Sequence, residues 1–197
     1  SACKDFGAAM GLNLSKIVTK MPSVRWHMAD LLGKTLYSRA FGSFGSGTVL
    51  VRPLRMVGVE NIYLGDQIAI YEDAWIASEA GGILRIGSGT YVGHRSHIHA
   101  LSNVTIGKDC VFADNVMVNS GEHPLDSLHD VQPGGDIVIG DRVFLGQNVS
   151  VLGGVTIGDG AVIGAGAVVT RDIPANAVAV GIPATVIRVR SGEKQDA

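Results

Sequence analysis

IVIGDRVFLGQNVSVLGGVTIGDGAVIGAGAVV, residues 137–169, puts a large apolar residue at every sixth position: Ile139, Leu145, Val151, Ile157, Ile163 and Val169. The same beat extends toward the N-terminus through Leu64, Ile70, Ile76; Ile86, Val92, Ile98; and Ile106, Phe112, Val118. A further aliphatic precedes each triplet by two residues, at Ile62, Leu84, Val104, Ile137 and Val155. A sustained fixed period marks a repeat architecture, in which each unit buries its apolar side only by stacking on its neighbours. A small residue, often glycine, follows the aliphatic (Gly65, Gly87, Gly93, Gly107, Gly140, Gly146, Gly158, Gly164). Four residues after the aliphatic comes a compact one, such as Ala74, Thr90, Ser96, Cys110, Val143, Ala161 or Ala167. Two inward positions per six-residue flat strand, with glycine at the corner, predict triangular coils of about eighteen residues stacked into an all-β solenoid.

Composition fits one such domain: 197 residues, 27 glycines and 46% hydrophobic residues. Its two cysteines make no disulfide framework and no C-x-x-C pair, so a reducing, cytoplasmic setting is expected. No apolar run reaches the roughly 18–20 residues of a membrane-spanning helix, and no secretory leader is read at the N-terminus. Net charge is −2 but unevenly spread. Residues 1–60 carry eight Lys or Arg against three Asp or Glu, and residues 61–197 carry eight against fifteen. The basic N-terminus is compatible with peripheral contact with an anionic membrane leaflet. The plainer account makes Lys16, Lys20, Arg25, Lys34 and Arg39 the solvated side of a capping helix. No nucleic-acid module is present in the sequence, because the basic residues are not clustered with aromatics.

The expected organisation is an N-terminal lead-in and helical cap at 1–47, the solenoid at 48–190, and a disordered tail at 191–197. Within the cap, Val24, Met28, Leu31, Leu32 and Leu36 form a helical stripe expected to cover the open end of the solenoid. Cys110 falls on a small inward position and reads as core.

The interruption carries the chemistry. Triplet starts at Leu64, Ile86, Ile106, Ile139 and Ile157 are 22, 20, 33 and 18 residues apart. The long interval holds an extruded loop at about 119–136, NSGEHPLDSLHDVQPGGD. A loop that adds no core is better explained by function. It presents His123, whose imidazole can take a proton from a hydroxyl or amine attacking an activated carbonyl. His129 reads as a solvated bystander.

The repeat, with VTIGDGAVIGAGAVVTRDIPANAVAVGIPATVIR at 155–188 as its strongest part, resembles the hexapeptide-repeat acyltransferases. GEHPLD at 121–126 is similar to the extruded loop of the sugar, galactoside and maltose acetyltransferases, and the N-terminus to colanic-acid-type O-acetyltransferases. The resemblance implies a left-handed parallel β-helix and a homotrimer with active sites between subunits. It implies acetyl-CoA as co-substrate, no metal, and His123 as base in direct transfer, with a backbone N–H stabilising the oxyanion. It also implies CoA contacts near Gln147, Ala165, Thr170 and Arg171, with Arg188 on the nucleotide phosphates. Thr185 stands where galactoside acetyltransferases carry a second basic residue, so phosphate recognition would lean on Arg190. Acceptor choice would rest on Glu122, Leu125 and Asp126, with His97 as a weaker acceptor-side candidate.

His94, His97 and His99 also raise metal binding, because a zinc carbonic anhydrase class shares this fold. That class places a further histidine on an earlier coil, whereas His27, the earlier one here, falls in the predicted helix. The leading expectation is therefore an acetyl-CoA-dependent O-acetyltransferase in polysaccharide or lipopolysaccharide synthesis, acting on a small-molecule or lipid-linked carbohydrate. N-acetylation of an amino sugar is the close alternative. A carbonic-anhydrase-like metalloenzyme and a non-catalytic scaffold are the rivals from other classes.

Overall fold

The computed structural model describes residues 24–190; the lead-in before residue 24 and the tail from residue 191 lie outside the described residues. Three parallel sheets form the faces of a triangular prism. The first face stacks Ser43–Phe44, Ile62–Leu64, Leu84–Ile86, Val104–Ile106, Ile137–Ile139 and Thr156–Ile157. The second stacks Val49–Leu50, Ala69–Ile70, Tyr91–Val92, Val111–Phe112, Phe144–Leu145, Val162–Ile163 and Ala177–Val180. The third stacks Arg55–Val57, Trp75–Ser78, His97–Ala100, Met117–Asn119, Ser150–Leu152 and Val168–Val169. Thr185–Val189 folds back antiparallel on Ala177–Val180 and ends the second sheet.

Register explains why the six-residue beat must be kept. Leu64 pairs with Ile86, Ile86 with Ile106, Ile106 with Ile139 and Ile139 with Ile157, so like residues stack into one column. All fifteen triplet positions are buried, and so are Ala74, Thr90, Ser96, Cys110, Val143, Ala161 and Ala167. Each large aliphatic removed from water contributes about 1.5–3 kcal/mol. Burial also pushes the Cys110 thiol above its usual range, as suits a packed core sulfur.

The corner differs from the expectation in one respect. The left-handed backbone falls three residues after the aliphatic, at Gln67, Asp73, Arg95, Asp109, Asn115, Arg142 and Asn148 or at Gly89, Gly154, Gly160 and Gly166. The glycine next to the aliphatic is required instead by contact between coils. A Cβ on Gly107 would lie 2.5 Å from the backbone carbon of Gly140, and one on Gly158 would lie 2.4 Å from the nitrogen of Ala175. At the same corners, aspartate oxygens accept backbone N–H groups from the coil below: Asp66 from Ser46 at 2.7 Å, Asp141 from Lys108 at 2.8 Å, Asp159 from Asp141 at 2.9 Å. Much of the acidity of the repeat is therefore structural.

Residues 24–40 are helical, with a π turn over Gly33–Tyr37. The stripe of Val24, Met28, Leu31, Leu32 and Leu36 does not cover the solenoid. These side chains are 38–61% exposed. The helix instead packs through its small side, Ala29 against Val49 and Val51, because a small residue lets its axis approach the sheet. The end of the core is plugged by aromatics: Phe41 meets Tyr37 and Phe44 with centroids 5.7 and 5.3 Å away. Arg25 to Glu72 at 3.6 Å and Trp26 against Tyr71 tether the start of the helix.

The two kinds of corner position should respond oppositely to substitution. Gly107→Ala should destabilise by roughly 2 kcal/mol or more, whereas Arg142→Gly, which relieves a left-handed residue at φ 55°, should be neutral or stabilising by up to about 1 kcal/mol. Denaturant midpoints of the two variants decide this.

Candidate active site

The interrupted coil leaves the prism at the edge between its third and first faces. Ser120, fully buried, anchors it. Its hydroxyl accepts from the backbone N–H of Leu101 (3.0 Å) and Ser102 (3.1 Å) and donates to the Ser102 carbonyl (2.9 Å). Its own N–H donates to the His99 carbonyl at 3.1 Å, and its carbonyl accepts from the Gly134 N–H at 2.7 Å. One residue thus joins the outgoing strand, the coil below and the returning strand. Nothing in the six-residue pattern singled it out, although a serine at the last residue before the excursion was the available signal.

Beyond Ser120 the loop is a hairpin, Gly121–Glu122 antiparallel to Gln132–Pro133, reinforced by Gln132 Nε2 donating to Glu122 Oε1 at 2.9 Å. His123 sits just past the first strand, exposed to solvent. Its Nδ1 lies 2.9 Å from the Asp130 carbonyl oxygen. A carbonyl only accepts, so Nδ1 carries the hydrogen and the lone pair belongs to Nε2. Asp130 is itself held by the Ser127 hydroxyl on its carboxylate and by its N–H on the Ser127 carbonyl at 3.1 Å. Asp126, Leu125 and His129 lie exposed at the tip, Leu125 at 98%.

The other sequence-derived candidates divide between two edges. Thr170 and Arg171 are on the same edge as the loop and exposed. Gln147 and Ala165 stack on consecutive coils at the edge between the second and third faces, where the Gly166 N–H donates to the Gln147 carbonyl at 2.8 Å. A Cβ on Gly166 would meet nothing within 4 Å, so this edge is an open shelf of backbone and small side chains. Arg188 is exposed on the terminal strand opposite Val178, while the Arg190 guanidinium donates to the Gly160 carbonyl. Within one chain, His123 and the Gln147–Ala165 shelf are not brought together.

The three histidines of the third coil have different surroundings. His94 lies at the second–third edge between two carboxylates, Nε2 at 3.1 Å from Glu72 and Nδ1 at 3.1 Å from Asp114. Its hydrogen bond holds the Asp114 carboxyl below its usual range. His97 and His99 point out from the third face, with His97 stacked on Trp75 at 4.2 Å and His99 Nε2 2.7 Å from Glu79. Desolvation, then the neighbouring His99, lowers the His97 pKa, so its ring is held neutral. Among the described residues, no group of three or more His, Cys, Asp or Glu is arranged to hold a metal ion.

Comparison with known proteins bears on the fold. Residues 136–171 match the family model for the bacterial transferase hexapeptide repeat (six repeats). The hexapeptide repeat is thus matched directly over this stretch of the solenoid. Its β-helix superposes on AntD, an N-acyltransferase from Bacillus cereus solved with dTDP and 3-hydroxybutyryl-CoA, with TM-score 0.71 and 17% identity over 80% of this chain and 88% of that one. The polySia-specific acetyltransferase NeuO matches with TM-score 0.51 and 25% identity, over 78% of this chain and 82% of its own. The hexapeptide-repeat acetyltransferase VCA0836 from Vibrio cholerae gives 0.56 and 23%, over 85% and 91%. The fold is accordingly the left-handed parallel β-helix.

Two measurements bear on the site's framework. Ser120→Ala strands the buried N–H of Leu101 and the half-buried N–H of Ser102 and should cost about 1–3 kcal/mol in denaturant unfolding. His97 binds fewer protons folded than unfolded, so its contribution to stability is present above its ordinary value of 6.5 and is lost as pH falls below it. The acid-side decline in melting temperature should therefore be shallower in His97→Gln.

Proposed function

We propose that this protein is an acetyl-CoA-dependent O-acetyltransferase acting on a carbohydrate acceptor, with His123 as general base. The observation that carries the reading is the 2.9 Å contact between His123 Nδ1 and the Asp130 carbonyl, which leaves Nε2 as the free acceptor on an exposed loop. An acceptor hydroxyl gives its proton to Nε2 while its oxygen attacks the thioester carbonyl; collapse expels the thiolate, which recovers the proton from the imidazolium. Charge developing on the carbonyl oxygen calls for a fixed backbone N–H donor. The likeness to NeuO, an acetyltransferase of polysialic acid at 25% identity, supports both the reaction class and a saccharide acceptor.

CoA supplies an activated acyl group, and this chain offers a surface that fits it. The exposed shelf of Gln147, Ala165 and Gly166 lets an extended arm lie against backbone, and the Arg188 guanidinium, which takes no partner among the described residues, suits a phosphate. Thr170 and Arg171 would complete the contact near the loop. His123 and this shelf lie on different edges of the prism, which favours a homotrimer in which one subunit's loop meets its neighbour's shelf. Glu122, Asp126 and His97 are the proposed acceptor-side groups, and polysaccharide or lipopolysaccharide synthesis in the cytoplasm is the proposed setting. Transfer to the nitrogen of an amino sugar would use the same base.

Thiol release from acetyl-CoA, screened against free, amino and nucleotide-linked sugars, tests the reading. His123→Ala should lower turnover by roughly two to four orders of magnitude with an unchanged circular dichroism spectrum. A fully active variant would overturn His123 as base.

A further inference from the structure

The outer surface of the third face carries a ladder of groups with no part in the packing of the core. Arg55, Trp75 and His97 stand in register on consecutive coils, the Arg55 guanidinium 5.1 Å from the Trp75 ring centroid and Trp75 stacked on His97 at 13°. In the neighbouring row His99 pairs in register with Asn119 one coil above, at the root of the His123 loop. Adjacent coils are about 4.8 Å apart. The link to the loop is direct: Ser120 donates its N–H to the His99 carbonyl, and Asn119 Oδ1 accepts from the Gly121 N–H at 2.9 Å.

Two ring nitrogens on this surface, Trp75 Nε1 and His97 Nε2, are buried and make no hydrogen bond. Leaving such atoms unpaired is costly, which points to a partner that arrives from outside. The indole can only donate, whereas a neutral imidazole nitrogen donates or accepts according to its tautomer. A hydroxyl is donor and acceptor at once and satisfies either atom. Beside them His99 is 13% exposed and gives Nε2–H to Glu79, whose side chain remains 41% exposed with a second carboxylate oxygen available.

We propose that Glu79, His97 and His99 form the acceptor subsite beneath the His123 loop, built for a sugar ring that presents hydroxyls and carries no carboxylate or phosphate. Hydroxyls hydrogen-bond to Glu79 and the two imidazoles, and the exposed Arg55 side chain swings aside to uncover the Trp75 N–H. The Glu79 charge, beside the imidazoles that the sugar contacts, repels anionic sugars, while the Arg55 cation lies two coils from His97, across the Trp75 ring. This subsite rests on the acyl-transfer reading above, but it can fail separately.

The test uses the full chain labelled with ¹⁵N-histidine, its imidazole resonances assigned with His97→Gln and His99→Gln. Maltose, glucosamine and glucuronate are titrated without acetyl-CoA, and thiol release is then measured with each. Maltose should shift the His97 and His99 signals, glucosamine less, and glucuronate not at all. Glu79→Gln should raise the KM for maltose at least tenfold, leave the KM for acetyl-CoA within twofold, and narrow the preference over glucuronate. Equal shifts with glucuronate, no shift with any sugar, or an unchanged acceptor KM in Glu79→Gln would overturn the subsite even if acetyl transfer is found. Shifts without thiol release would sustain the subsite and overturn the acyltransferase reading. Should His99→Gln unfold, Glu79→Gln and the wild-type shifts still decide the matter.

Discussion

Backbone stacking in register, coil upon coil, is the constraint from which the rest of this molecule follows. Each strand of a face hydrogen-bonds to the strand one coil above, as Val104–Ile106 does to Ile137–Ile139. Corresponding residues of successive coils are therefore held at strand spacing. That proximity demands one inward aliphatic column, because any polar member would be sealed between two apolar neighbours. It also demands glycine where corner backbones touch, as at Gly107 against Gly140. The same proximity lets an aspartate on one coil satisfy a backbone N–H on the next, as Asp141 does for Lys108.

A solenoid made this way has a uniform surface, so chemistry must come from departures. The largest leaves at the third–first edge, and its cost is limited by Ser120, which satisfies backbone groups that the missing ladder would otherwise strand. Beyond that anchor the hairpin holds His123 through main-chain contact with Asp130 rather than through a buried carboxylate. The imidazole is thus oriented while staying exposed. A second departure is the outward ladder of Trp75, His97 and His99, whose three rings stack against one another on the third face.

Much of this was legible in sequence where one residue answers to one periodic environment. Ile62, Leu84, Val104, Ile137 and Val155, taken from spacing alone, are all buried, as is Cys110. The helical stripe misled because 3.6-residue periodicity identifies an apolar side of a helix but not what lies against it. The aromatic plug of Tyr37, Phe41 and Phe44 and the small Ala29 won that contact. Glycine at the corner was read for its backbone freedom, yet the left-handed conformation sits two residues later, on residues as unlike as Gln67 and Arg142.

The sequence by itself determined the solenoid, its core column and the position of the one long excursion, since each depends on residues at fixed local spacing. The tertiary structure decided which atom of His123 is free, that Ser120 roots the loop, and that Glu79 lies against His99 though twenty residues separate them. Those facts depend on contacts between coils. The number of residues in a turn sets which side chains meet across coils, and a hydrogen bond exists only once the backbone of both coils is in place.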